Sequence, residues 1–236
     1  TRITVAASAP TLYYYCTQHS GMGGQANTNS THGSSNFSGT IQSTVSANSS
    51  SGFSIIKWTG SGATATIGHG LSKAPHVIIV KQIDSTRDWV VGSGELGWTK
   101  YQYLNSTQVS NTGNFFNDTA PTSSVFSVVN DSGVNGNGNY YIAYCFAPTT
   151  GFSQMGWYRG SGQDQGPYIT CSFKPKIVFI KNTEQGGDDW HIFDDQRSAS
   201  GGGNIIKYRL FPNSNSAETT TDNMGFDFYS NGFQVT

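Results

Sequence analysis

Charged residues are scarce in this chain: they make up 11% of its 236 residues, and the formal net charge is −1. A protein that binds nucleic acid needs a basic stripe to neutralise phosphates, so this balance argues against a nucleic-acid partner. No apolar run approaches the ~20 residues that a membrane-spanning helix requires, and we therefore expect no membrane insertion. A basic segment followed by an apolar one, the mark of a secretory leader, is also missing from the sequence.

Cysteine is rare as well. The chain has only Cys16, Cys145 and Cys171, an odd number that is too small for a disulfide scaffold. The last two stand in apolar, strand-like surroundings. We expect them to be buried free thiols, because cysteine behaves as a small hydrophobe.

Aromatic residues and glycine are abundant by contrast, at 13% and 29 residues, beside many Ser, Thr and Asn. This usage is typical of short strands joined by turns. No segment carries the apolar spacing of an amphipathic helix over a helix's usual length. The composition therefore predicts an all-β protein.

Two apolar runs organise the chain, residues 73–81 and 173–181, each with a proline near its start and a lysine at its end. Asp88-Trp89 follows the first run and Asp189-Trp190 follows the second. Other motifs repeat in the same order, with an offset that drifts as loop insertions would produce: Phe53 and Phe152, Trp58 and Trp157, Gly60-Ser-Gly62 and Gly160-Ser-Gly162, Asn105-Ser106 and Asn213-Ser214, and Phe126 and Phe233. Such ordered self-similarity predicts a duplicated module.

We predict two tandem antiparallel β-sandwich modules of jelly-roll type, at residues 53–150 and 151–236. The continuous apolar run at 77–80 predicts a strand covered on both faces. The strand at 140–146 has no counterpart in the second copy, so we expect that copy to lack one strand at its carboxyl end, unless another chain donates it. We also expect the chain to be a piece of a longer polypeptide.

The region before the modules divides into two segments. Residues 1–28 are predicted to be the carboxyl-terminal fragment of another β domain. Residues 29–52 are nearly all Asn, Ser, Thr and Gly. They predict a flexible linker or, alternatively, an extended strand laid on a neighbour.

The spacing Cys16-x2-His19-x2-Met22 resembles the copper loop of small cupredoxins. The resemblance implies these three residues as copper ligands, with a fourth, a histidine, supplied from an earlier loop. Thiolate, imidazole and thioether suit a blue-copper site. The alternative is that the turn is kept without copper and that Cys16 is a half-buried thiol. The remaining histidines show no ligand spacing with this loop: His32, His69, His76 and His191.

Carboxylates are the candidates for glycan cleavage, which needs two of them at a defined separation. The acidic residues to test are Glu95, Glu184, Asp188, Asp189, Asp194, Asp195 and Glu218. Members of the adjacent pairs would point to opposite faces of a strand, and the first copy keeps neither pair. We therefore predict no enzymatic activity, with Asp88 and Asp189 capping turns beside a core tryptophan.

A longer pattern joins Trp-x-Gly-x-Gly, His-Gly-Leu, Ala-Pro, Ile-Ile-Val-Lys and Asp-Trp to the later Tyr-x-Ala-Tyr-Cys-Phe-Ala. It resembles a tandem domain of tail-fibre and other external virion proteins of marine tailed phages. In those proteins a cupredoxin-like segment can precede other modules. The resemblance implies a place on the virion exterior. It also implies assembly with other virion proteins and with copies of the chain itself, a trimer among the options.

Three functional hypotheses follow. The first is a structural or adhesive virion protein, whose contacts with host glycans or neighbouring subunits would use Trp98, Tyr101, Tyr103, Tyr158 and Tyr208, unless these rings pack in the core. The second is a carbohydrate-binding or glycan-hydrolysing β-sandwich. The third is a cupredoxin-like copper protein.

Overall fold

The structure, a computed structural model, describes residues 12–20, 23–26, 33–197, 205–220 and 225–236. Every regular element in these ranges is a β-strand, and they contain no helix. The predicted all-β class is thereby confirmed. No helix capable of crossing a membrane is found among these residues. The paired strands are antiparallel throughout and form one eight-stranded sheet, one four-stranded sheet and several two-stranded sheets, an arrangement consistent with β-sandwiches.

The hairpin and the first module contain the following strands: β1 (Leu12–Tyr15), β2 (Gly23–Ala26), β3 (Ser34–Asn36), β4 (Ser43–Asn48), β5 (Phe53–Thr59), β6 (Ala65–Gly68), β7 (Val77–Gln82), β8 (Val90–Ser93), β9 (Lys100–Tyr103), β10 (Asn111–Thr112), β11 (Val125–Val128) and β12 (Tyr140–Phe146). The eight-stranded sheet has the order β10-β9-β8-β7-β12-β5-β4-β3. β12 therefore lies between β7 and β5. Its Tyr144 stands opposite Ile55 on one side and Ile79 on the other.

The first module is a sandwich because the inner face of this sheet packs on the pair β6–β11. Side chains alternate along a strand, and β5 directs Ile56 and Trp58 inwards. The Trp58 ring packs edge-on against Phe126 of β11 at 5.9 Å and stacks on Tyr141 of β12 at 5.4 Å. Aromatic contacts thus join both sheets across the core.

The strand at residues 77–80 was predicted to be covered on both faces, and its burial is complete only on the core face of the sheet. Ile78 and Val80 are fully buried in the core. Val77 and Ile79 point to the other face and are half-buried. The outer face of the sheet is covered in part, since Val91 of β8 and Gln102 of β9, which share that face with Ile79, are each 3% exposed.

The linker interpretation of residues 29–52 is corrected from residue 33 onward. β3 and β4 extend the eight-stranded sheet, and β4 pairs with β5 over five residues, from Thr44 opposite Lys57 to Asn48 opposite Phe53. Val45 and Ser43 are buried there. The alternative prediction, an extended strand laid on a neighbour, describes this segment: Val45 faces the core beside Ser43, whose hydroxyl donates a hydrogen bond to the Gly68 carbonyl.

The second module contains β13 (Tyr168–Thr170), β14 (Ile177–Lys181), β15 (Trp190–Asp194), β16 (Ile205–Ile206), β17 (Tyr208–Arg209), β18 (Thr219–Thr220), β19 (Phe226–Tyr229) and β20 (Gly232–Val235). One sheet has the order β13-β20-β19-β16, and β14 pairs with β15. Phe193 of β15 packs on Phe226 of β19 at 4.5 Å, which joins these two sheets in a second core.

Strand pairing is repeated between the modules. Ile67 stands opposite Phe126 in the first module, and Ile169 stands opposite Phe233 in the second. β14 and β15 pair as β7 and β8 do. Ser72 and Ser172 precede these strands with φ values of 62° and 61°, a left-handed conformation that is uncommon for residues other than glycine. The same backbone turn therefore introduces the same strand twice.

The described residues of the second module form no counterparts of β5 and β12. Between Tyr158 and Tyr168 no strand forms, and Phe152 and Trp157 are 63% and 73% exposed. Trp58, the counterpart of Trp157, is 3% exposed. None of the described residues takes the place of β12 beside β14.

Candidate interaction surface

Three of the predicted contact residues, Trp98, Tyr101 and Tyr103, pack on the first core. Trp98 meets Phe116 edge-on at 5.4 Å, and Tyr101 meets Phe115 at 4.6 Å. Burial, with a hydrogen bond to Tyr101, raises the pKa of Tyr103 to about 12. These rings contribute to packing between β9 and the loop before β11, so they form no exposed platform.

The other two predicted contact residues lie apart from one another in the second module. Tyr158 is half-buried in the loop that replaces a β5 counterpart, and burial raises the pKa of its hydroxyl. Tyr208 is half-buried in β17, where it stands opposite Thr220. The structure therefore brings none of the second-module candidates together with those of the first.

Two of the predicted copper ligands are close to each other. Cys16 Sγ lies 3.4 Å from His19 Nδ1 in the turn after β1. Met22 lies outside the described residues. No group of three His, Cys, Asp or Glu side chains with metal-binding geometry occurs in the described part of the chain. A blue-copper site uses two histidines beside the cysteine; in the described part of the chain His19 is the one in contact with Cys16, so copper binding stays a prediction.

Cys145 and Cys171 are free and buried, as predicted from their surroundings. Burial raises the pKa of both thiols. The reactive form of cysteine is the thiolate, so both side chains serve as small apolar groups of the two cores.

Of the two predicted adjacent carboxylate pairs, Asp194 and Asp195 are engaged in ion pairs, whereas Asp188 and Asp189 accept hydrogen bonds from asparagine side chains. Asp194 Oδ2 accepts a hydrogen bond from Arg197 Nε at 2.8 Å, and Arg197 Nη1 donates to Glu218 at 3.0 Å. Burial opposes ionisation of Asp194, but the bonds from Arg197 outweigh it and hold its pKa below the usual range. The hydrogen bond from Lys176 likewise lowers the pKa of Asp195. Asp194 and Glu218 therefore share Arg197, whereas Asp195 is paired with Lys176.

Asp88 and Asp189 cap the turns before β8 and β15. Asp88 Oδ1 accepts a hydrogen bond from Asn105 Nδ2 at 2.8 Å, and Asn105 Oδ1 accepts one from the Trp89 backbone N–H at 2.9 Å. In the second module the corresponding residues are Asp189, Asn213 and Trp190, with distances of 2.6 and 2.8 Å. We call this arrangement the Asp-Asn clasp. It fastens the start of β8 to the segment just after β9, and the start of β15 to the segment just after β17.

An aromatic row that the sequence analysis missed lies on the outer face of the eight-stranded sheet. The Tyr144 ring is parallel to Phe53 at 6.4 Å and to Trp89 at 6.3 Å, and Phe53 packs on Phe146 at 5.0 Å. All four rings are half-buried. We define the outer aromatic face as these four residues together with Ile55, which is 36% exposed. Phe53, Ile55, Tyr144 and Phe146 lie on the paired strands β5 and β12, and Trp89 directly precedes β8.

The alternation in β12 carries the signal that could have revealed this face. Tyr141, Ala143 and Cys145 point into the core, so Tyr144 and Phe146 must point outwards. A solvated outer face usually carries polar residues in such positions. Aromatic residues on and beside β12 therefore make this outer face more apolar than a solvated sheet face usually is.

The one open groove that stands out among the described residues is of a different kind. It has a volume of about 470 Å³ and is lined by Gly33, Ser34, Ser35, Asn36, Val45, Ser46, Ala47 and Gly70. Its lining contains no titratable group and no aromatic ring. Neither acid–base chemistry nor ring stacking is therefore available there, and the outer aromatic face is the stronger candidate surface.

A family model described as a domain of unknown function, DUF7483, matches residues 26–236. The chain belongs to the DUF7483 family. The match includes both modules as well as β3 and β4, whereas β1 precedes it. Comparison with curated proteins and with solved structures gave no match. The function of this DUF7483 chain is therefore inferred from its own residues and their arrangement.

Proposed function

We propose that this DUF7483 chain is a structural component of a phage virion, part of an external tail fibre or surface appendage that contributes to assembly and host attachment. The proposal is supported by the structural features that both copies of the module retain. Both modules retain the Asp-Asn clasp and the strand register. The charged groups differ, since Arg197, Asp194 and Glu218 have no charged counterparts in the first module.

A duplicated scaffold of this kind fits an architectural role. Each clasp uses its carboxylate to hold a turn, which leaves that carboxylate unavailable for chemistry. The surface is rich in Ser, Thr and Asn and poor in charge, so its contacts would change little with ionic strength. The resemblance of the repeated motifs to external proteins of marine tailed phages supports a place on the virion exterior.

The outer aromatic face favours a second candidate function, carbohydrate binding. Aromatic rings offer large, rigid contact area at low entropic cost. A row of parallel rings at 6.3–6.4 Å would suit the apolar faces of successive sugar rings. On an appendage, the same face would serve attachment to host glycans.

Labelling of intact particles tests the virion proposal. Gold-labelled antibody raised against this chain should decorate an external appendage of particles from a phage that encodes it. Antibody absorbed with the purified chain is the control and should give no labelling. Particles that contain no copy of the chain by mass spectrometry would overturn the proposal.

Glycan binding is tested separately on a glycan array. If the outer aromatic face binds sugar, Tyr144→Ala should abolish the signal, whereas Tyr168→Ala, which removes a 43% exposed ring of the second module, should leave it unchanged. Circular dichroism must show that the Tyr144→Ala chain stays folded. Binding that survives Tyr144→Ala in a folded chain would refute this use of the face.

A further inference from the structure

Two lysines lie on the outer face of the eight-stranded sheet, at the border of the outer aromatic face. Ile142 of β12 stands opposite Lys57 of β5 on one side and opposite Lys81 of β7 on the other. Neighbouring strands are about 4.8 Å apart, so roughly 9.6 Å separates the two lysine backbones. Tyr144, the next residue of β12 on this face, belongs to the row of rings. A pair of cations therefore runs beside a row of aromatic rings.

Neither of these lysines forms an ion pair within the described part of the chain. Lys57 Nζ lies over the Tyr140 ring, 5.9 Å from its centroid, and Lys81 Nζ donates to the Gln82 backbone carbonyl at 2.9 Å. Asp84, just after β7, uses its two carboxylate oxygens to accept hydrogen bonds from the Gln82 side chain and the Tyr140 backbone N–H. The two ammonium charges are therefore available to an acidic ligand.

In the second module, a lysine and a tryptophan on the corresponding face hold two oxygen atoms. Lys181 of β14 stands opposite Trp190 of β15. Trp190 Nε1 donates a hydrogen bond to the Tyr103 carbonyl at 2.9 Å, and Lys181 Nζ donates to the Thr107 carbonyl at 3.4 Å. Both carbonyl groups belong to the first module. The pair therefore acts as a double donor towards oxygen atoms outside its own module.

Lys81 and Trp89 are the counterparts of this donor pair in the first module. They are adjacent in sequence to Val80 and Val90, which stand opposite one another in β7 and β8. No residue in the described ranges accepts a hydrogen bond from Trp89 Nε1. The Trp89 ring is parallel to the Tyr144 ring of β12 at 6.3 Å, whereas the described second module forms no counterpart of β12. The first module thus combines the double donor with a surface on which rings can stack.

Parallel rings with hydrogen-bond donors and cations at their border match the chemistry of an acidic sugar chain. A sugar ring has an apolar face that packs on an aromatic ring, and its oxygen atoms accept hydrogen bonds from a few well-placed donors. Two ammonium groups on strands two apart suit negative charges that repeat along a chain. A carboxylate bonded directly to a sugar ring keeps its charge close to the stacked face, within reach of a flexible lysine side chain.

We infer that the outer aromatic face binds an acidic polysaccharide whose sugar rings carry carboxylate groups, an inference that rests on the carbohydrate binding proposed above. The rings of Phe53, Tyr144 and Trp89 stack on successive sugar rings. Lys57 and Lys81 pair with carboxylate groups along the chain, and Trp89 Nε1 donates to a sugar oxygen. Charge is thus the property by which this face selects a glycan.

Binding to a charged polysaccharide and to its neutral ester tests the inference. Polygalacturonate carries a carboxylate on every ring, and fully methyl-esterified polygalacturonate has the same chain without the charge. In isothermal titration calorimetry with the full chain, the ester should bind about tenfold more weakly than the acid, because it forms neither lysine ion pair. Binding of the acid should weaken as sodium chloride is added, because exposed charges are screened, whereas binding of the ester should not change.

Single substitutions separate the contribution of charge from that of the rings. Lys57→Gln and Lys81→Gln should each weaken binding of polygalacturonate about three- to fivefold and leave binding of the ester unchanged. Trp89→Phe keeps a ring but removes the N–H donor, and it should weaken binding of both polymers about threefold. Lys174→Gln, at an exposed position of the second module, is the matched control and should bind both polymers as the unaltered chain does.

The possible failures distinguish charge selection from carbohydrate binding itself. Equal affinity for acid and ester, full affinity for the acid in both lysine variants, or tighter binding of a sulfated galactan would overturn the inference and leave carbohydrate binding in place. Binding to no polymer and to no glycan of the array would overturn both. Sedimentation velocity tests a polypeptide as the occupant: self-association that is lost in Lys81→Gln and Trp89→Phe would assign this face to a second copy and overturn the inference.

Discussion

Asn213 makes in the second module the same two hydrogen bonds that Asn105 makes in the first. Each side chain donates to the aspartate of an Asp-Trp pair and accepts from the tryptophan backbone N–H. The segment between tryptophan and asparagine, which includes strands in both modules, is longer in the second module, at 23 rather than 16 positions. The contact has thus been retained while this segment changed length, which indicates that the clasp fixes the strand ends.

Replacing Asn105 with alanine should destabilise the first module. Two hydrogen bonds are lost, and one of them involves a carboxylate. Because Asn105 is exposed, we expect a loss of about 1 kcal/mol in the free energy of unfolding. Urea denaturation measures it. Asn137→Ala, also at an exposed loop position, should change the free energy by less than about 0.5 kcal/mol, and equal losses in the two variants would argue against the clasp.

Trp58 and Trp157 should respond very differently to truncation, although they are counterparts in the repeat. Trp58→Ala removes a ring packed between Phe126 and Tyr141, and we expect it to cost about 3–5 kcal/mol. Trp157→Ala removes a 73% exposed ring and should cost less than about 0.5 kcal/mol. Both losses are measured by urea denaturation. A large loss for Trp157 in the monomer would show that its segment is packed.

His69 should make the first module sensitive to mild acid. It is fully buried, Nδ1 accepts a hydrogen bond from the Leu71 N–H at 3.2 Å, and Nε2 faces the Thr122 carbonyl at 3.1 Å. This geometry fits a neutral ring with its proton on Nε2. Burial lowers the pKa of His69 below 6.5, and the hydrogen bond to Thr122 opposes this only in part.

The sign of the effect follows from this lowered pKa. Below pH 6.5 the unfolded chain binds a proton that the folded chain does not, so stability is lost as pH falls, by at most about 1.4 kcal/mol per pH unit for one histidine. His69→Gln should reduce this slope in urea denaturation between about pH 7.5 and about pH 5, the range in which histidine titrates. His191, whose pKa burial also lowers, accounts for a remaining slope. Asn137→Ala, which removes no titratable group from an exposed loop position, should leave the slope intact.

The ion pairs of Arg197 should stabilise the second module in a salt-dependent way. Arg197 bonds Asp194 and Glu218 through separate nitrogens, a geometry that lysine cannot reproduce. We expect Arg197→Lys to cost about 0.5–1 kcal/mol at low ionic strength and less in molar salt, because partly exposed charges are screened. Lys57→Ala, in the first module, is the comparison. A loss that does not change with salt would show that packing, not charge, holds this residue.

Much of the fold follows from local features of the sequence. Aromatic and β-branched residues at alternating positions, separated by Gly, Asn and Ser, determine strands rather than helices. The repeated order of Pro, apolar run, Asp-Trp and Asn predicts that pairings such as β7–β8 recur as β14–β15. The apolar residues next to Cys145 and Cys171 in the sequence predict that both thiols are buried. Each of these inferences depends only on residues close together in the chain.

Other features depend on long-range pairing. Residues 33–48 look like a linker, and only their register with β5 makes them strands, because backbone hydrogen bonds can hold polar sequences in a sheet. Trp98, Tyr101 and Tyr103 look like contact residues, and tertiary packing turns them towards the core. Tyr144, Phe53 and Trp89 come from three separate segments, so the outer aromatic face exists only after β12 has paired with β5 and β7. The repeat by itself makes Trp58 and Trp157 equivalent, and the presence or absence of a paired neighbour strand decides which of them is buried.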